Sequence, residues 1–267
     1  DVSFLYFPWV SDTFKQKYEE NNQSYIFEYN YKDRLIVRMG YMFNYNSAGE
    51  RMANNTIKSN SFSIRAGLES AGNVMYAISN LTKQSKNSDG EYSLLNIPYA
   101  QYVKGDFDFS RNIVIDDKNA IAYHVGVGIA VPYGNSKSIP YIKQYFSGGA
   151  NSVRGWSVRE LGPGSFPGDG NYLNQSGDIK FDASIEYRSK LFWLLQGALF
   201  VDAGNIWTIK EYENQPGGQF DISKFYKQIA FAYGLGIRID LDYLVFRIDG
   251  GMKALNPAYS SGKQRYP

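Results

Sequence analysis

From Ala230 to Asp240 the large residues Phe231, Tyr233, Leu235, Ile237 and Ile239 alternate with Ala230, Ala232, Gly234, Gly236, Arg238 and Asp240. Successive side chains of a strand point to opposite faces, so this segment has one broad apolar face and one face of small or charged residues. The same period of two recurs along most of the chain. Leu35, Val37, Met39, Tyr41, Phe43 and Tyr45 oppose Arg38, Gly40 and Asn44, and Phe62, Ile64, Ala66 and Leu68 oppose Ser61, Ser63 and Arg65. Ile121, Tyr123, Val125, Val127 and Ile129 oppose Ala122, His124, Gly126 and Gly128. Phe181, Ala183, Ile185 and Tyr187 oppose Asp182, Ser184, Glu186 and Arg188, and Leu244, Phe246 and Ile248 oppose Val245, Arg247 and Asp249. A chain written this way folds as antiparallel sheet, with short turns such as Asp240-Leu241-Asp242 alternating with long polar loops.

About ten strands are expected: residues 2–7, 24–31, 35–45, 57–69, 97–109, 120–131, 178–190, 195–207, 227–240 and 243–253. The second and third form a hairpin through a turn near Lys32-Asp33. Residues 71–83 are the one helical candidate, with Val74, Ile78 and Leu81 on one face, placed within a loop. No run approaches the ~18–20 apolar residues of a membrane-spanning helix. A membrane β-barrel avoids that signal because lipid-facing and lumen-facing residues alternate, and 23 tyrosines suit its interfacial girdles. A soluble β-sandwich can write the same alternation, and composition does not separate the two.

Several chemistries are excluded. With no cysteine and one histidine there is no disulfide framework, thiolate metal site or histidine-rich centre, and a net charge of +2 gives no basic stripe for nucleic acid. His124 falls on the small-residue face, and no nucleophile or ligand set accompanies it. Nucleophile-elbow, phosphate-loop and zinc-protease motifs are all missing. The stretch Gly162-Pro163-Gly164-Ser165-Phe166-Pro167-Gly168-Asp169-Gly170 has glycines suited to a phosphate cradle but neither its lysine nor its following helix.

Between strands, Ser147-Gly148-Gly149-Ala150-Asn151-Ser152-Val153-Arg154-Gly155-Trp156 is too polar and glycine-rich to be a strand itself. Its glycines allow positive φ or close approach to a wall, and Arg154 offers a planar fork of donors suited to carboxylates. This is the composition of a loop built to dock.

The segment resembles the VRGF/Y loop of the BamA/TamA superfamily of outer-membrane assembly and secretion barrels, the surface-antigen type. Phe200-Val201-Asp202-Ala203-Gly204-Asn205-Ile206-Trp207 resembles that family's FxDxGxxW strand, and Pro132-Tyr133-Gly134-Asn135-Ser136 with Ile139-Pro140-Tyr141 resembles the approach to its loop. The form GGANSVRGW followed by LGPG is most similar to the TamA-like branch.

The resemblance implies an antiparallel transmembrane β-barrel in the cell outer membrane. Residues 1–267 would be part of one barrel domain with a lumen-docking loop over about 143–176. Periplasmic domains upstream and a final strand are expected outside the chain. It further implies that Arg154 reaches carboxylates on the barrel wall, at positions matching Asp202 and Glu186, with Gly155 and Trp156 completing the anchor. Parity agrees, since both carboxylates fall on the polar face. Trp156 stands where the family usually has phenylalanine or tyrosine and is expected to stack on the wall. The implied function is insertion or translocation of other outer-membrane or secreted proteins through a lateral strand seam. No cofactor, metal, nucleic acid or catalytic residue is involved. Implied partners are outer-membrane lipid, unfolded client outer-membrane proteins, and a periplasmic or inner-membrane-spanning protein. A passive porin or adhesion barrel, or the membrane anchor of a fused enzyme, are the alternatives.

Overall fold

A computed structural model describes residues 1–5, 33–47, 60–168, 175–241, 244–262 and 265–267. Nine strands form one antiparallel sheet: β1 (Val2–Leu5), β2 (Arg34–Asn46), β3 (Ser61–Ala71), β6 (Tyr102–Val114), β7 (Asn119–Pro132), β8 (Ile179–Phe192), β9 (Leu195–Trp207), β10 (Ala230–Asp240) and β11 (Val245–Leu255). Their spatial order is their chain order, so the sheet is an up-and-down meander. The strand expected over residues 24–31 lies outside the described residues.

Between β3 and β6 the chain forms a cap. It holds helix α1 (Asn73–Leu81) and a small hairpin of β4 (Ser93–Leu94) and β5 (Ile97–Pro98). The expected strand over 97–109 is therefore split. Residues 97–98 turn back onto 93–94, and the long strand starts only at Tyr102. Proline explains the break, since Pro98 has no N–H to donate to a central ladder. Gly72 starts the helix from a left-handed φ of 76°, where a side chain would run into the Ala100 carbonyl.

The turns at residues 115–118 and 193–194 and the paired ends of β10 and β11 at Asp240 and Val245 lie at one end of the sheet. The cap and the segments 133–168, 175–178 and 208–229 lie at the other. Registers such as Ala71↔Tyr102 and Tyr102↔Pro132 place those three long connections side by side.

The buried core decides between the two folds that the alternation allows. In a soluble sandwich the apolar faces of two sheets pack together. Here the apolar face of the single sheet is open: Ile185 is 62% exposed, Leu235 64% and Ile248 75%. The opposite, polar face is the covered one. Two apolar clusters lie against it, one of Ile36, Ala71, Ala100, Tyr102, Ala130, Ile139, Tyr145 and Ile206, the other of Val153, Trp156, Leu161, Ala230 and Ala232. A contiguous apolar band of this extent needs an apolar solvent. No helix among the described residues is long and apolar enough to cross a membrane.

Candidate functional site: the docked loop

Residues 133–168 fold back along the inner, polar face. The loop holds its shape through Gly148 and Gly149, whose φ values of 95° and 88° are open only to glycine at low cost. The Gly149 amide donates to the Trp156 carbonyl at 2.8 Å, and the Arg159 amide to that of Ser147 at 3.0 Å. Arg154 projects from this knot.

The Arg154 side chain, 7% exposed, meets three carboxylates on three strands. Its Nε donates to Asp202 Oδ2 and its Nη2 to Asp202 Oδ1, both at 2.8 Å, so the β9 carboxylate is held by two parallel bonds. The Arg154 amide adds a third bond to Asp202 Oδ2 at 3.0 Å. Nη1 donates to Glu186 Oε2 on β8 at 2.8 Å and to Asp249 Oδ2 on β11 at 3.1 Å. The ring of Phe200 lies beneath the guanidinium, 3.4 Å from Cζ to the ring centroid. Burial alone would lower the Arg154 pKa, but the hydrogen bonds to Asp202 and Glu186 outweigh it and raise it, so the cation is permanent.

The register explains why these groups meet. Glu186 pairs with Phe200, Phe200 with Gly234, and Gly234 with Gly251. Inward-facing positions on four adjacent strands thus form a patch that is charged on β8, β9 and β11, while β10 contributes Gly234 and Gly236 to it and Arg238 at its edge. Further guanidiniums balance the carboxylates. Arg188 Nε donates to Glu186 Oε1 at 2.7 Å, Arg238 also pairs with Glu186, and Arg247 Nε lies 3.2 Å from Asp249. Arg247 Nη2 also reaches the loop at the Ala150 carbonyl, 2.7 Å away.

Gly155 serves a purpose different from that of Gly148. A Cβ there would stand 2.9 Å from the Ala232 Cβ and 3.2 Å from the Lys253 amide nitrogen, so only glycine lets the loop lie this close to β10 and β11. Trp156 is buried beside Ala230 and Ala232, and the Lys253 ammonium sits 5.3 Å from its ring centroid. The structure therefore brings Arg154, Gly155, Trp156, Glu186 and Asp202 together on one wall.

Sequence reasoning missed several contributors. Asp249 has the parity of Arg247, which was its only signal. Asn205 donates through Nδ2 to the Gly164 carbonyl at 2.8 Å, and Trp207 Nε1 donates to Gln228 Oε1 at 2.8 Å in the neighbouring connection. At the start of the loop Tyr145 lies over Gly128, where a Cβ would come within 2.5 Å of its ring, and its hydroxyl donates to Asp106 at 2.7 Å. The loop is thus fastened on the β6–β7 wall as well. His124 faces inward, 3.1 Å from Asp108 and 3.3 Å from Asp182. No cluster of His, Cys, Asp or Glu among the described residues could hold a metal ion.

Glu160 ties the loop to β11 through a 2.6 Å bond from Lys253 Nζ and accepts the Ser157 amide at 2.6 Å. Burial alone would raise its pKa, but Lys253 and Ser157 hold it below the ordinary carboxylate value of 4.5. A carboxyl depressed on folding contributes stability above its unfolded pKa and loses it as pH falls through the folded one. Acidification below about pH 4.5 should therefore loosen residues 156–161. Glu160→Gln should remove that acid dependence, and hydrogen exchange of these amides, corrected for intrinsic rates, measures it. Exchange that responds identically to acid in both proteins would show that the Glu160–Lys253 contact does not hold the loop.

Residues 5–265 match the Omp85 superfamily domain. The chain is 35% identical over 97 residues, 33% of its own length and 12% of the relative's, to the outer membrane protein assembly factor BamA of Neisseria meningitidis. It is 26% identical over 159 residues, 54% of its length and 32% of the relative's, to the human sorting and assembly machinery component 50 homolog. A crystal structure of BamA from Haemophilus ducreyi lacking POTRA domains 1–3 superposes with a TM-score of 0.46 at 17% identity, over 82% of this chain and 51% of that one. The chain thus spans about a third or less of the length of these curated relatives.

Proposed function

The chain belongs to the Omp85 superfamily, and from that membership we propose that it is the barrel part of a machine that inserts other proteins into the outer membrane. It is itself an outer-membrane protein built of antiparallel strands. The clients are unfolded outer-membrane proteins, delivered with the help of a periplasmic or inner-membrane-spanning partner. Insertion proceeds at a lateral seam of the barrel. An unpaired strand edge in lipid is costly, so a seam that opens offers its N–H and C=O groups to a client strand, which pairs with it and enters the bilayer already hydrogen-bonded. The step needs no cofactor and makes no covalent bond. Glu186, Asp202 and Asp249 all hydrogen-bond the Arg154 guanidinium, so they serve as anchors of the loop.

The observation that carries this reading is the docked loop. It holds Arg154, Gly155 and Trp156 against Glu186 and Asp202 on the inner face of the sheet, an anchorage that a passive pore does not require. The test is reconstitution of the full-length protein in lipid vesicles with an unfolded barrel client, scored by the client's acquisition of a heat-modifiable, protease-resistant form. Insertion well above that in empty vesicles is expected. Solute conductance with no gain in client insertion would instead identify a passive pore.

A further inference from the structure

The apolar face of α1 points away from the protein. Val74 is 62% exposed, Ile78 50% and Leu81 84%, whereas the buried residue of the helix is Ser79. Its hydroxyl accepts a 3.2 Å bond from the buried Tyr99. A helix on a water-facing loop turns its apolar stripe inward, and this one does the reverse. The arrangement is firmly set. Tyr92 holds the helix through a hydrogen bond to Asn80 and a ring contact with Tyr76, and Tyr133 donates to Asn73 at 2.7 Å from the docked loop.

Where α1 leaves β3, its first turn overhangs the outward face of the sheet. Val74 and Met75 of the helix and Val37, Met39, Tyr41 and Leu68 of β2 and β3 enclose a crevice of about 490 Å³. Met39, Tyr41 and Leu68 are themselves exposed and belong to the lipid-facing set. The crevice is therefore an upward continuation of that set, closed on one side by the helix. Lys83 and Lys86 follow the helix and are exposed, as basic residues at headgroup depth would be.

We propose that α1 is an interfacial membrane anchor, with Ile78 and Leu81 in the acyl boundary and the crevice at its base occupied by a lipid acyl chain of the leaflet at the docked-loop end. The occupant is lipid because Met39, Tyr41 and Leu68, which line the crevice, are part of the exposed outward band, so the crevice is continuous with it. The inference rests on the membrane reading above. Its consequence is that the rim of the barrel above β2 and β3 is held at a fixed depth.

The experiment uses the full-length protein in bilayers of phosphatidylcholine and phosphatidylglycerol. Single spin labels are placed through Ile78→Cys, Leu81→Cys and Lys83→Cys, with Ile185→Cys on the β8 wall as reference. Heat-modifiability confirms folding of each variant. Collision rates with oxygen and with a water-soluble nickel chelate are compared. Labels at 78 and 81 should favour oxygen several-fold over the label at 83, approaching the value at 185. Water-like values at 78 and 81 with a lipid-like value at 185 would overturn the anchor alone. A water-like value at 185 as well would overturn the membrane reading beneath it. Labels at 78 and 81 shielded from both reagents would identify a second copy or a partner protein as the occupant, and the lipid proposal would fail.

Discussion

Arg154→Ala should raise the undocked population of the loop by roughly 150- to 4,000-fold and abolish most client insertion. Removing one partner of a buried ion cluster costs about 3–5 kcal/mol, because the charges left behind stay desolvated. The three carboxylates will not suffer equally. Glu186 keeps Arg188 and Arg238, and Asp249 keeps Arg247. Among the described residues Asp202, fully buried, keeps only the backbone amide of residue 154. Adding Asp202→Asn to Arg154→Ala should therefore recover part of the loss, whereas adding Asp249→Asn should recover little. Arg154→Lys should fall between, since a single ammonium cannot bond both oxygens of Asp202 in parallel while also reaching Glu186. Protease nicking within residues 147–165, with a double-mutant cycle on Arg154 and Asp202, measures the coupling. Additive effects together with normal insertion by the alanine variant would remove the loop from the mechanism.

The second large effect comes from a residue with no side chain. A Cβ at Gly251 would overlap the Arg154 carbonyl oxygen and stand 2.7 Å from its carbon, with the Gly155 nitrogen at 3.2 Å. These are backbone atoms of the anchored turn, so none can rotate aside. Gly251→Ala must lift the loop where it is fastened, and an overpacking cost of about 1–3 kcal/mol corresponds to roughly 5- to 200-fold faster nicking. The adjacent Gly250 is the control, because a Cβ there meets only the Leu235 carbonyl oxygen at 3.9 Å. Gly250→Ala should behave as wild type. Equal behaviour of the two variants would show that the loop does not rest on β11.

What could be read in advance follows from what each signal encodes. The strand phases were legible because lipid and lumen impose opposite chemistry on alternate residues, so Ile185, Leu199, Ile237 and Phe246 face outward as their parity requires. The pairing of Arg154 with Glu186 and Asp202 came from a resemblance that parity then supported. Asp249 lies 95 residues from Arg154, and only the register across β9, β10 and β11 brings it within reach. Gly251 was opaque for a related reason, since a glycine in a strand pattern does not announce which backbone lies above it. The helix shows another limit. Periodicity grouped Val74, Ile78 and Leu81 on one face but carried no information on which way that face would turn. The hairpin at residues 93–98 was hidden by reading Ile97 and Pro98 as the start of the next strand.

Arg154 binds side chains of β8, β9 and β11 at once, with β10 between them, and so acts as a crossbar over four staves of the wall. Those staves cannot part or shear by a register step without breaking charge-assisted bonds, so they must move as one stiff panel. Any flexing of the wall is displaced to the far side of the sheet. The docked loop thereby sets where the wall is compliant as well as where it is rigid.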